Sequence, residues 1–319
     1  MRRGARILLW SVSAIFLPCL AAFAQDRPTS PDQGTPAAAQ PADEESDEAK
    51  TAALAKAAQN PIADLISFPL QNNTAFGIGP YGRAQNELLI EPVIPLHITK
   101  DWNLITRTIW PQIVQPDPTQ PTKGWTGFGD LNPSFFLSPS APHKLTWGVG
   151  PTFVFPWATA EQLGQGKLSM GPAVVALTMP GHWVIGVLVN NIWSVEGPHE
   201  RADVNQMLLQ YFINYNFKKG WYVTTSPIIT ANWEASSGSI WTVPFGAGVG
   251  RIMKIGNQPV NIQTQFFGNA KYPTGGSPWG MRLQIALLFP KISKQEEKML
   301  LEKKLQQLDQ QTPPQAQKN

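Results

Sequence analysis

The chain is poor in the residues that carry most protein chemistry. Its 319 residues include one cysteine, Cys19, and four histidines, His97, His143, His182 and His199. A lone cysteine forms no disulfide within the chain. The histidines fall near separate turns or loops, without the spacing of a metal site. There is no Gly-x-Ser-x-Gly elbow and no phosphate-binding loop. The residues therefore predict no catalytic group, metal or cofactor. Charge is also scarce, at 15% of residues with a net +3. A small net charge removes the electrostatic basis for nucleic-acid binding. So few charges would leave a soluble surface underpopulated, yet a mean hydropathy of −0.17 is too polar for a helical membrane protein. A sheet with one apolar and one polar face reconciles the two values.

Residues 1–24 have the form of a secretory signal. MRRGAR is basic, ILLWSVSAIFL is apolar, and Ala22-Phe23-Ala24 makes a small-x-small cleavage site before Gln25. Cys19 lies inside this segment behind Pro18, which does not suit lipidation, and its removal leaves a mature chain without thiols. Residues 25–60 form an acidic tether rich in Pro and Ala. A short helix is predicted over 47–59, stopped by Asn60-Pro61. Two placements stay open for it, in the periplasm or as a plug.

From about residue 61 to 291 the period changes to two. In 203–234, Met207, Leu209, Tyr211, Ile213 and Tyr215 alternate with Gln206, Gln210, Asn214 and Asn216, broken only by Leu208 and Phe212. After FKKG the alternation resumes, with Trp221, Val223, Ile229 and Trp233 against Thr224, Ser226, Thr230 and Asn232. Such alternation places the two sets on opposite faces of antiparallel strands. Twelve strands are predicted: 65–79, 85–98, 102–114, 126–138, 144–156, 167–179, 182–194, 203–217, 220–233, 240–253, 259–271 and 279–289. Short connections alternate with mostly longer ones, as an up-and-down transmembrane barrel requires. Trp102, Trp183 and Trp221 follow short turns; Trp125, Trp193, Trp233, Trp241 and Trp279 flank the long loops. Two membrane-interface belts are expected there. Prolines 92, 95, 111, 133, 151, 172, 227 and 244 resist this reading, since each deletes a ladder donor.

The fold class is thus all-β: one antiparallel barrel of about twelve strands, with short helices in the tails. Glu87, Glu91, Arg107, Asp130, Asn132, Gln206, Gln210, Lys271, Arg282 and Gln284 are expected to face its lumen. If position 91 pairs with 107, Glu91 and Arg107 meet across their hairpin. These side chains either fill the interior as a structural network or form a polar constriction. Residues 292–319 are a charged tail; its stretch 293–310 carries Leu301, Leu305 and Leu308 on one helical stripe and offers a route to self-association.

Six stretches carry a resemblance: 60–83, 101–118, GFGDLNPSFFLSP (127–139), RADVNQMLLQYFINYNF (201–217), GWYVTTSPIITANWE (220–234) and WTVPFGAGVGRI (241–252). Together they resemble the bacterial outer-membrane family labelled for the meta-pathway of phenol degradation, whose members also circulate as "transporter" and "neuromedin U". The resemblance spans about 60–291 and brings no site residues with it. It implies an outer-membrane barrel that helps aromatic or other hydrophobic compounds enter. Three functional classes follow: passive passage of small molecules, a closed barrel anchoring periplasmic partners, and an outer-membrane hydrolase. Outer-membrane lipid is the expected surrounding, and no enzyme is expected.

Overall fold

The computed structural model describes residues 41–141 and 143–290. The signal 1–24, the tether up to residue 40 and the charged tail with its 293–310 stripe lie outside them.

Twelve antiparallel strands close into a barrel. They are β1 (Ile66–Ile78), β2 (Arg83–Ile90 and Val93–His97), β3 (Trp102–Pro116), β4 (Gly124–Phe128 and Asn132–Pro139), β5 (Leu145–Val154) and β6 (Leu168–Thr178). Then follow β7 (Trp183–Glu196), β8 (Asn205–Asn216), β9 (Trp221–Thr225 and Ile228–Asn232), β10 (Trp241–Ile255), β11 (Gln258–Lys271) and β12 (Trp279–Phe289). Each strand pairs with its neighbours in sequence, and β1 pairs with β12 from Ile66↔Phe289 to Phe76↔Trp279. The predicted ends lie within about two residues of the observed ones, because period two is a direct consequence of strand geometry.

The prolines are absorbed locally. Pro92 and Pro227 fall in the gaps of β2 and β9, where the ladder skips a bond but keeps its offset: Leu70↔Ile90 and Ser67↔Val93 belong to one register. Pro151 and Pro172 face each other across β5 and β6. Pro244 borders a one-residue shift between β10 and β11. The gap in β4 differs. Phe128 pairs with Gln112 but Asn132 pairs with Ile109, so a bulge at 129–131 shifts the register by one.

Outward residues form an exposed apolar wall that includes Ile66, Phe68, Leu70, Ile94, Leu96, Val174, Val249, Leu283 and Ile285. Aromatic pairs ring it near the loop end, with Phe76 stacked on Trp279 at 4.2 Å, Trp110 on Phe128 at 4.5 Å, and Trp233 edge-on to Trp241 at 5.4 Å. Trp102–Trp147 and Trp183–Tyr215 contacts mark the short-turn end. Trp221 lies there under the Arg251 guanidinium, and Trp193 is exposed at the loop end. Trp125 departs from the expected belt. It pairs with Gln115 in the same set as Ile113↔Gly127, opposite in parity to outward Phe128, so the register puts it on the lumen side.

The inward face of β10 is nearly bare. Gly246, Gly248 and Gly250 alternate there, and a Cβ on Gly250 would overlap the Tyr222 ring. Tyr222 and Gln265 lie against this strip and are fully buried. Large inward groups on β9 and β11 are thereby accommodated in a small barrel.

Helix α1 (Pro41–Ala58) precedes the barrel and starts earlier than the sequence predicts. It ends where Pro61 forbids continuation. The Asn60 side chain then accepts the Ile62 amide at 3.0 Å, turning the chain inward.

Candidate functional site

The lumen has two sectors. Along β3–β8 part of the inward set is apolar, with Ile105, Phe136, Val175, Leu177, Val184, Leu188 and Phe212 buried in one cluster. Leu208 and Phe212, which interrupt the polar alternation of β8, thus belong to this cluster. Along β1 and β9–β12 the interior is polar. Gln265 Oε1 accepts the Ser226 amide at 3.1 Å; Arg282 donates through Nη1 to the Ser226 carbonyl and through Nε to Asn73 Oδ1, both at 3.0 Å. The Tyr222 hydroxyl donates to Asn261 at 2.7 Å, and Gln263 donates to Gln284 at 2.8 Å. A buried network of this kind holds its shape because nearly every member has a partner.

The segment after α1 packs into the short-turn end of the lumen as a plug. Ile62 is 4% exposed and joins the apolar cluster beside Val93 and Phe136; Ala55, Ala63 and Leu65 pack against Tyr222, Ile252 and Leu288. Burial of an Ile side chain contributes about 1.5–3 kcal/mol. Polar contacts fix the orientation. Gln59 and Asn216 exchange amide hydrogen bonds at 2.8 and 3.1 Å, and Asp64 pairs with His97 at 3.0 Å.

Above this plug lies a cavity of about 150 Å³. Glu91, Arg107, Gln210, Arg282 and Gln284, all expected in the lumen, line it. The Glu91–Arg107 contact forms at 2.9 Å, although its expected register is not the observed one. Arg107 pairs with Val93 across the hairpin, so it reaches Glu91 diagonally. The second oxygen of Glu91, Oε1, is buried without a partner. Glu87 shares the inward face, between Asn73 and Ile113, outside both cavities.

A second cavity of about 610 Å³ occupies the loop end. Asn132 and Gln206 line it with Asn190, Thr230, Asn232 and Thr242 and with aliphatic Val154, Ile192, Leu208 and Ile240; no charged side chain contributes. Lys271 does not reach it. The one-residue shift between β10 and β11 leaves Lys271 opposite Val243, exposed at the end of its strand.

Asp130 anchors a loop. Sitting in the β4 bulge, its carboxylate accepts the amides of Ala158 at 3.1 Å and Gln165 at 2.6 Å. These belong to the β5–β6 connection, which folds inward through a short 3₁₀ turn, Glu161–Leu163, with Leu163 buried. Gln165 then reaches Gln206 on β8 at 2.8 Å. Arg201 clasps the same loop from the β7–β8 connection, donating to the Glu161 and Gln165 carbonyls at 3.0 and 3.1 Å. Sequence reasoning sees no signal for this fold, since a long loop of small polar residues carries no periodicity.

The two connections are also latched by Lys167 and Asp203 at 2.5 Å. The hydrogen bond and charge of Lys167 hold the Asp203 carboxyl below its ordinary range. A depressed carboxylate stabilises the fold above its unfolded value and stops doing so as pH falls through the folded one. The latch should therefore be intact at neutral pH and should open only as the pH falls below the ordinary aspartate value of about 3.9. Limited proteolysis of the 197–204 loop should accelerate over that range in the native chain, and should already be fast and pH-independent in Lys167→Met.

No family model matches the chain, and no curated protein matches it in sequence. Solved structures do. The COG4313 outer membrane channel from Pseudomonas putida F1 superposes with a TM-score of 0.54 at 12% identity, covering 70% of this chain and 94% of that one. A KdgM porin, 7% identical, aligns over 71% of this chain and 99% of its own at 0.40. The Pseudomonas putida toluene transporter TodX, 10% identical, aligns over 73% and 92% at 0.36. The first of these establishes a shared fold; the other two scores fall below the level at which one follows.

Proposed function

We propose that this barrel sits in a bacterial outer membrane, exported by its signal, and passes small molecules without an energy source. The aromatic-ringed apolar wall supports the membrane seat. The observation that carries the passage reading is the 610 Å³ cavity at the loop end, which mixes amide, hydroxyl and aliphatic lining and contributes no charge. Such a lining favours uncharged solutes with an apolar body, including the aromatic compounds implied by the resemblance to the phenol-pathway family. Glu91, Arg107 and Arg282 lie deeper, where they would order a polar step on the way down. The likeness to a COG4313 channel agrees with this reading.

The decisive experiment is uptake into liposomes carrying the purified full chain. Neutral single-ring aromatics should enter faster than carboxylated analogues of the same size, and both faster than in empty vesicles. Equal rates with and without protein would overturn the passage reading.

A second reading is a closed barrel that anchors periplasmic partners, and the buried Ile62 plug favours it. Removing 293–319 separates the two: a channel keeps its flux, and an anchor loses its partner. Lipid hydrolysis by an outward-facing site has less support. His97 ends β2 and the other histidines lie in turns and loops.

A further inference from the structure

Hydrogen-bonding side chains also interrupt the outward face, and two asparagines do so across β1 and β2. On β1 the outward set runs Ile66, Phe68, Leu70, Asn72, Thr74 and Phe76. Asn86 on β2 stands opposite Thr74, and Leu88 stands opposite Asn72. Asn72 and Asn86 exchange amide hydrogen bonds at 3.0 and 2.9 Å, and Asn86 also donates to Thr74 at 2.8 Å. Phe76, stacked on Trp279, marks the aromatic belt above them. Four residues of a strand tilted about 40° put Asn72 roughly 10 Å below that belt, well inside an apolar band about 25 Å tall.

The outward amide of Asn191 is placed differently. Asn191 lies two residues from the exposed Trp193 and is capped by the Trp233 indole at 2.9 Å. Gln112 on β3 stands opposite Leu88 and borders the Asn72–Asn86 patch. At Asn72 and Asn86 the hydrogen bonding is incomplete. The Asn86 amino group spends both hydrogens, on Asn72 and Thr74. The Asn72 amino group spends one, on Asn86, and its second has no acceptor among the described residues. The Asn86 carbonyl oxygen keeps a spare lone pair. Acyl chains can satisfy neither group.

We propose that this face of β1 and β2 is an interface between two copies of the chain. A patch holding one unspent donor and one unspent acceptor complements itself across a twofold axis, the Asn72 amino group of each copy meeting the Asn86 oxygen of the other. Leu70, Leu88 and Leu283 surround the patch and supply the apolar contact. The proposal rests on the membrane seat argued above.

The test uses thiol cross-linking in native membranes. A Cys19→Ser background has no thiol at all. Leu88→Cys, beside the patch, should give a species of twice the chain mass with a short bis-maleimide. Val249→Cys, outward on β10, should give little. Adding Asn72→Leu and Asn86→Leu to Leu88→Cys should cut the dimer about tenfold while the barrel still folds, as gel mobility without heating reports. No dimer at Leu88, equal dimer at Val249, a cross-linked product of another mass, or a dimer indifferent to the leucines would each overturn the interface. Recovery of the chain in the soluble fraction would instead overturn the membrane seat itself.

Discussion

Removing residues 41–63 should raise ion conductance in planar bilayers about tenfold over the full chain, since the closed end then becomes a polar opening. The ladder needs none of these residues: β1 begins at Ile66 and bonds to β2 and β12. The deletion takes away Ile62, which seals the apolar cluster, and the Gln59–Asn216 amide exchange that seats the turn. A gentler variant checks the same point. Ile62→Asp would place an unpaired carboxylate among Val93, Phe136 and Leu188, at a cost of several kcal/mol that the segment escapes only by leaving the lumen. Its conductance should approach that of the deletion. If both variants conduct like the full chain, the barrier to flow lies higher, at the inward-folded β5–β6 loop.

Glu91→Ala should lower the stability of the barrel by about 3–5 kcal/mol, because it leaves a guanidinium in the lumen without its counter-charge. The side chain of Glu91 is 7% exposed and that of Arg107 is 21%, so water screens this pair little. Glu91 also lies close enough to Arg282 to offset its charge, so its loss leaves two cations facing each other. The double variant Glu91→Leu with Arg107→Met should recover most of the loss, as apolar replacement of a whole buried pair usually does. Urea unfolding in vesicles, followed by tryptophan emission, measures both. A single-variant effect below about 1 kcal/mol would show the pair to be hydrated and structurally idle.

The strands were legible in the sequence because lipid-facing and lumen-facing groups must alternate whatever else the chain does. The register was less so. Arg107 meets Glu91 from two positions away from the anticipated pairing, since nothing local counts the residues of the Lys100 turn. The bulge at 129–131 was illegible for the same reason, and so was the inward-folded loop that Asp130 anchors. Lys271 left the lumen through another one-residue shift. Alternation assigns a face only until a bulge resets it.

The interior was harder still. A period-two pattern separates two sets but does not say that the inner one must be polar. Phe136, Val175, Leu177 and Leu188 are inward and apolar, and they read in sequence like their lipid-facing neighbours. Asn72 and Asn86 err in the other sense, being polar and outward. Only the fold, by fixing which set faces out, makes them stand apart. The helix before the barrel carried a stop signal at Asn60-Pro61, but where it docks depends on Tyr222, Ile252 and Leu288, far along the chain.

The bond between β1 and β12 has a consequence for biogenesis. The seam joins the two ends of the barrel, so no part of the chain can complete a closed wall until the last strand has been made. Every partial product exposes a raw strand edge that would pair with any neighbour. Such a chain must be escorted while incomplete, and once sealed it should come apart as a whole, with no stable half-barrel along the way.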